Sequence, residues 1–127
     1  MTSSEQESYA QNKARVEELN QRRARIRELN DKLRKDHVGG FITITPGISS
    51  LGTNATGAIV KLVAEFDAFE ESNDPYHEHD LGSVRYDTHQ ILWKIDYYDK
   101  QLEWGSPDAA DPDVTARVLT IMLVQEY

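Results

Sequence analysis

From Ile91 to Tyr98 the chain alternates Ile91, Trp93, Ile95 and Tyr97 with Leu92, Lys94, Asp96 and Tyr98. A period of two is the mark of a strand buried on one side. Such a strand commits the chain to a sheet with one apolar and one wet face. Upstream, Gly82 to Tyr86 offers Val84 and Tyr86 on one side and Ser83 and Arg85 on the other. Asp87-Thr88-His89 is short and polar enough to join the two runs as a hairpin. The turn Asn73-Asp74-Pro75 and the cluster His77-Glu78-His79-Asp80 lead straight into it, so residues 73–99 hold three of the four histidines and dense carboxylates. A functional site is expected there.

The rest of the chain supplies the cover. Ser8 to Lys35 contains no Gly or Pro and is built from strong helix formers, which predicts one long helix. Leu19, Ile26 and Leu33 recur every seven residues, Val16 and Leu29 fill the same stripe, and Asn12 and Arg22 interrupt it. That narrow stripe packs either on the body or on a second helix. Gly39-Gly40 ends the helix, and Phe41 to Thr45 has β-branched strand composition that Pro46-Gly47 stops. Ile59, Leu62, Val63, Phe66 and Phe69 recur at three and four residues, as in an amphipathic helix. Gln101 to Trp104 suggests a short third strand, and 105–113 is a loop rich in turn residues and acids. For Val114 to Tyr127 a helix is expected, with Asp111 as cap and Pro112 at its first position. A buried strand is the alternative, because a short apolar run has no decisive period. The fold class predicted is α+β: a small antiparallel sheet, the hairpin plus one or two further strands, covered by helices. Residues 1–38 form a basic helical arm and residues 39–127 an acidic body.

The net charge of −8 is unevenly spread. Residues 11–35 hold nine Lys or Arg against four acids, a balance of +5, whereas residues 36–127 hold five bases against sixteen acids, a balance of −11. The body repels nucleic acid and attracts basic surfaces; the helix suits phosphates, membranes or an acidic partner, including a second copy of this body. The helical arginines read first as a solvated face, so direct nucleic-acid binding is expected, if anywhere, only through that helix. The chain has no cysteine, which removes disulfides, thiolate metal sites and cysteine nucleophiles. No apolar run approaches the roughly 18 residues of a membrane span, and the N-terminus lacks signal-peptide character. A cytoplasmic protein without membrane attachment is expected.

At ITPGI (44–48), NDPYHEHDLG (73–82), WKIDYYD (93–99) and RVLTIMLVQEY (117–127), the chain resembles the bacterial family catalogued as domain of unknown function 3768. The resemblance spans about residues 22–127. It implies a small bacterial protein of a kind found in part on plasmids and mobile elements, and it implies no activity. Nor does it imply a two-histidine metal site, since a smaller residue stands in the family where this chain has His77.

Two constellations carry candidate chemistry. His77 and His79, two apart, face one way if the segment is extended, and with Asp80 they supply nitrogen and oxygen ligands for zinc or manganese. An exposed polar loop after a proline turn is the first reading of them, and the metal site the second. Lys94, Asp96 and Tyr98 share the wet strand face, as an electrostatic stabiliser beside a base or simply as a cross-strand ion-pair surface. Trp93, Ile95 and Tyr97 are expected in the core, whereas Tyr86, Tyr97, Tyr98 and Trp104 are candidates for an aromatic contact patch. Phosphate-loop, dinucleotide and esterase motifs are all missing from the sequence. The expected function is therefore a non-enzymatic acidic interaction module engaging a basic, nucleic-acid-handling protein, in the manner of anti-restriction or anti-CRISPR inhibitors. Its surface comprises Asp74, Glu78, Asp80, Lys94, Asp96, Tyr98 and Asp99, with no cofactor and with homodimerisation through the N-terminal helix as an option. The alternative is a metal-dependent hydrolase using His77, His79, Asp80 and Asp96.

Overall fold

The computed structural model describes residues 2–127, and its first element, α1 (Ser3–Asp36), is far longer than the rest of the chain needs. Thr2 opens it with a capping box: its hydroxyl accepts from the Glu5 N–H at 3.2 Å while the Glu5 carboxylate accepts from the Thr2 N–H at 2.8 Å. His37 closes it in the left-handed region at φ 58°. At 1.5 Å per residue α1 is about 50 Å long. Its buried residues, Ile26, Asn30, Leu33 and Arg34, all lie in the second half. Residues 2–22 are exposed throughout. From Arg23 onward α1 has covered residues that pack on the body, and the part before it is exposed.

Four strands follow, with helices between the first two: β1 (Phe41–Ile44), α2 (Pro46–Ser49), α3 (Thr53–Glu65), β2 (Leu81–Tyr86), β3 (His89–Tyr98) and β4 (Ala116–Leu123), then a 3₁₀ turn at Val124–Glu126. The sheet order is β1-β4-β3-β2. The hairpin forms with Val84 opposite Ile91 and Tyr86 opposite His89, leaving Asp87 and Thr88 as its turn. The fold class is α+β with a small sheet, as expected, but the sheet is mixed. β4 is antiparallel to β3 and parallel to β1. A parallel pair needs a long crossover, and everything between Ile44 and Ala116 supplies it.

The C-terminal stretch is the main correction. It is a strand, where a helix was favoured, because it is the central partner of both β1 and β3 and is largely covered on both faces. A strand buried on both sides reads as a continuous apolar run and loses its period of two. Gln101 to Trp104 is likewise no strand. It is a tight turn in which the Asp99 N–H donates to the Trp104 carbonyl at 2.8 Å and Leu102 sits at φ 60°. Only the bridge from Tyr98 to Gly105 continues the ladder.

One face of the sheet carries Ile42 and Ile44, Leu119, Ile121 and Leu123, Ile91, Trp93 and Ile95, in register across the strands. Leu33 of α1, Ile48 of α2 and Ile59 and Val63 of α3 complete this core. Gly82 faces Trp93 so closely that a Cβ there would lie 2.5 Å from the indole nitrogen. α3 ends at Glu65, before Phe66 and Phe69, and those two rings meet Trp93 edge-on at 5.5 and 6.1 Å. The guanidinium of Arg34 explains the stop. It donates to the carbonyls of Val63, Ala64 and Phe66 at 2.9, 3.1 and 2.8 Å, capping the helix from α1. Among the described residues no helix is long and apolar enough to cross a membrane.

Candidate functional site

The loop 73–80 is built on one carboxylate. Asp74 is only 3% exposed, and its Oδ1 accepts from the N–H groups of Glu78 and His79 at 3.0 and 3.1 Å. An aspartate expected on the surface is thus the internal support of the turn. His77 and His79 both adopt left-handed backbone, φ 57° and 55°, so the segment is not extended and the premise that their rings align does not apply. His77 is exposed. His79 turns inward, stacked on Phe69 with centroids 3.7 Å apart, its Nδ1 2.9 Å from Asp31 Oδ1 and its Nε2 3.6 Å from Asp74 Oδ2. Among the described residues no group of three or more His, Asp or Glu side chains is placed to hold a metal ion.

Beside this loop lies a buried polar network for which no sequence motif stands. Asn30 donates to the Glu78 carbonyl at 3.0 Å and to the Tyr97 hydroxyl at 2.8 Å, and its Oδ1 accepts from Arg117 Nε at 2.7 Å. Tyr97 donates to Glu78 Oε1 at 2.9 Å. Arg117 also donates to the Ala109 carbonyl and lies 5.2 Å over the Tyr97 ring. Burial pushes the Tyr97 phenol well above its ordinary value and lowers that of Arg117. Arg34 ion-pairs with Asp31 at 3.1 Å, and Arg27 donates to the His77 carbonyl at 3.0 Å. These groups are spent on one another: they fasten α1 to the sheet. The signal for Asn30 was its place between Ile26 and Leu33 in the apolar stripe, since a buried amide must find partners. Nothing in the sequence separated Arg117 from the solvated arginines.

On the wet sheet face Lys94 Nζ lies 2.9 Å from Asp96 Oδ2, and this hydrogen bond to Asp96 raises the Lys94 pKa. Asp80 approaches from the start of β2, and burial first, then Glu78, raises its carboxyl above the usual range. Asp74, Glu78, Asp80 and Asp96 therefore form one acidic neighbourhood, in which Asp74 is covered and the others are half-exposed.

Part of the exposed apolar surface lies at the start of β1 and at and after the end of β3. Trp104 is 74% exposed, Phe41 57%, Leu102 54% and Tyr98 36%. Phe41 at the start of β1 and Leu102 in the turn after β3 border one open cleft of about 310 Å³, floored by Thr115 and Ala116. Lys100 and the buried Arg117 also line it; the segment that contributes Lys100, Leu102 and Pro112, residues 96–113, carries Asp96, Asp99, Glu103, Asp108, Asp111 and Asp113, of which Asp108 is paired with Arg22 of α1 at 3.2 Å. Of the expected aromatic patch, Trp104 and Tyr98 are present, Tyr97 is inside the network, and Tyr86 packs against the core. Phe41 and Leu102 join them only through the chain's folding, being 61 residues apart.

Residues 44–126, from the last residue of β1 through the 3₁₀ turn, match the model of a family described as protein of unknown function (DUF3768), and the chain belongs to it. No curated protein and no solved structure matches the chain.

Proposed function

We propose that this member of the DUF3768 family is a protein-interaction module whose acidic, aromatic sheet end binds an arginine- or lysine-bearing surface of a partner protein. The carrying observation is the exposure of Phe41 and Leu102 at one cleft, and of Tyr98 and Trp104 in the same segment as Leu102, residues 96–113, which carries six acids. Exposed aromatic faces attract cations by about 0.5–1 kcal/mol each. Surrounding carboxylates add long-range steering, which raises the association rate more than the affinity. Asp96, Asp99 and Tyr98 belong to this surface; Glu78 and Asp80 extend it toward the 73–80 loop. Nucleic-acid-handling proteins carry basic surfaces as a condition of their work, so the partner class is a cytoplasmic protein of that kind, and inhibition by occupying its basic face is the mode of action. Anti-restriction and anti-CRISPR inhibitors are the narrower class.

The test is calorimetric titration with an arginine-rich peptide at low and high salt. Wild type should bind with an affinity that falls with salt, and the exposed changes Trp104→Ala and Glu103→Gln should weaken binding with little change in melting temperature. No binding, or binding indifferent to salt and to both substitutions, would overturn the proposal.

A further inference from the structure

The cleft at the start of β1 has a chemistry of its own, distinct from that of the acids near it in sequence. Its volume of about 310 Å³ lies at the lower end of cavities that hold a small molecule. Phe41, Leu102, Pro112 and Ala116 give it apolar walls, and Phe41 and Leu102 are still 57% and 54% exposed. Two cations belong to the lining, and only one of them is free. Arg117 is buried; its Nε donates to Asn30 Oδ1 at 2.7 Å, and a second N–H group donates to the Ala109 carbonyl. Lys100 is exposed and, among the described residues, forms no ion pair. The lining holds no carboxylate. The six acids of residues 96–113 all lie outside it.

The other polar groups of the cleft select the same kind of ligand. The Thr115 hydroxyl lies 2.8 Å from the Asp108 and Asp111 carbonyls and 2.7 Å from the Ser106 hydroxyl, so it is engaged within the chain. Gly39 and Gly40 line the cleft, and their N–H groups have no partner among the described residues. With no side chain at either position, the backbone there is open to approach. The cleft thus offers an unpaired ammonium, unpaired backbone N–H groups and an exposed aromatic ring. Its free polar groups donate, and a carboxylate is the acceptor that an ammonium and backbone N–H groups hold best.

We propose that this cleft binds a small free carboxylate with an apolar body, the carboxylate on Lys100 and the Gly39-Gly40 N–H groups and the body against Phe41 and Leu102. An inorganic anion would leave the two apolar side chains uncovered, and an apolar cation would meet Lys100 with like charge. The proposal does not rest on the basic-partner reading, because that reading uses the acids outside the lining.

Titration of the full chain with phenylacetate, followed by amide chemical shifts, tests it. Binding should saturate in the millimolar range or tighter, with the shifts centred on Gly39, Gly40, Phe41 and Leu102. Lys100→Gln should weaken it about tenfold, the worth of one charge-assisted hydrogen bond, and Lys100→Arg should retain most of it. Leu102→Ser should weaken it as well, whereas Lys35→Gln, which removes a cation outside the lining, should not. These side chains are exposed, so the melting temperature should hold in each variant. Benzylamine, with opposite charge on a similar body, and inorganic phosphate, with no body, should leave the cleft residues unshifted. Phenylacetate that causes no saturable shift there, that is matched by benzylamine or phosphate, or that binds Lys100→Gln as it binds wild type overturns the proposal. So does an acidic peptide that occupies the cleft where phenylacetate does not, since the cleft then takes a partner chain. The arginine-rich peptide, titrated in parallel, separates the two readings: phenylacetate bound without the peptide refutes only the basic partner, and the peptide bound without phenylacetate refutes only this site.

Discussion

Replacing Asn30 by Ala asks whether the second half of α1 is an attached arm or part of the folded body. Asn30 is fully buried and is the one side chain that touches Glu78, Tyr97 and Arg117 together. Truncation removes three hydrogen bonds. The one from Arg117 Nε is charge-assisted, worth about 1.5–3 kcal/mol, and the two neutral ones about 1 kcal/mol each. Arg117 would be left with a buried, unpaired N–H, and stranding part of a buried charge network costs about 3–5 kcal/mol by itself. These are two descriptions of one loss, so the expected cost is about 3–5 kcal/mol, a fall in melting temperature of about 10–20 °C. Urea denaturation gives the free energy, and hydrogen exchange of the α1 amides shows where it is lost, with protection falling first over residues 23–36. Asn30→Leu combined with Arg117→Met should recover much of the stability, because an apolar pair leaves nothing unsatisfied. A loss below about 1 kcal/mol for Asn30→Ala, or a double variant no better than the worse single one, would refute the claim that this network fastens the helix.

Trp93→Ala and Ile95→Ala should cost about 3–5 and 2–5 kcal/mol, whereas Asp96→Ala, which breaks a half-exposed pair with Lys94, should cost under about 1 kcal/mol; chemical denaturation of the three variants decides it. Deleting residues 2–20 should leave cooperative unfolding and near-ultraviolet circular dichroism intact, since no buried residue precedes Ile26. The Glu126 carboxylate accepts from the Thr45 hydroxyl at 2.7 Å, the Leu123 N–H at 2.8 Å and the Gly47 N–H at 3.0 Å, and these hold its pKa below the usual range. Because folding lowers that pKa, the stabilisation is present above the unfolded value and is lost as pH falls through the folded one. Glu126→Gln should therefore lower the melting temperature at neutral pH, and the gap to wild type should close in acid; a gap independent of pH would contradict this.

The sequence by itself determined the elements whose pattern is local. β3 is legible because alternate residues face opposite media, and Ile91, Trp93 and Ile95 lie in the core as that alternation requires. The hairpin, β1 and the long helix are legible for the same reason: turn chemistry, β-branching and the lack of Gly or Pro act within a few residues of themselves. What only the tertiary structure decided are the features whose cause lies far along the chain. β4 is a strand because β1 and β3 take the backbone hydrogen bonds of both its edges, and the burial of most of its residues erased the period that would have announced it. Arg34 and Arg117 look like surface arginines until the Val63 and Ala64 carbonyls accept from the first, and Asn30 accepts from the second while the Tyr97 ring lies against its guanidinium. The two histidines part because Asp74 folds their backbone into left-handed turns. The cleft, likewise, exists only where a turn after β3 meets the first residue of β1. Side-chain periodicity records which way a residue faces along its own element; which element it meets is set by chain closure and packing, which carry no local signature.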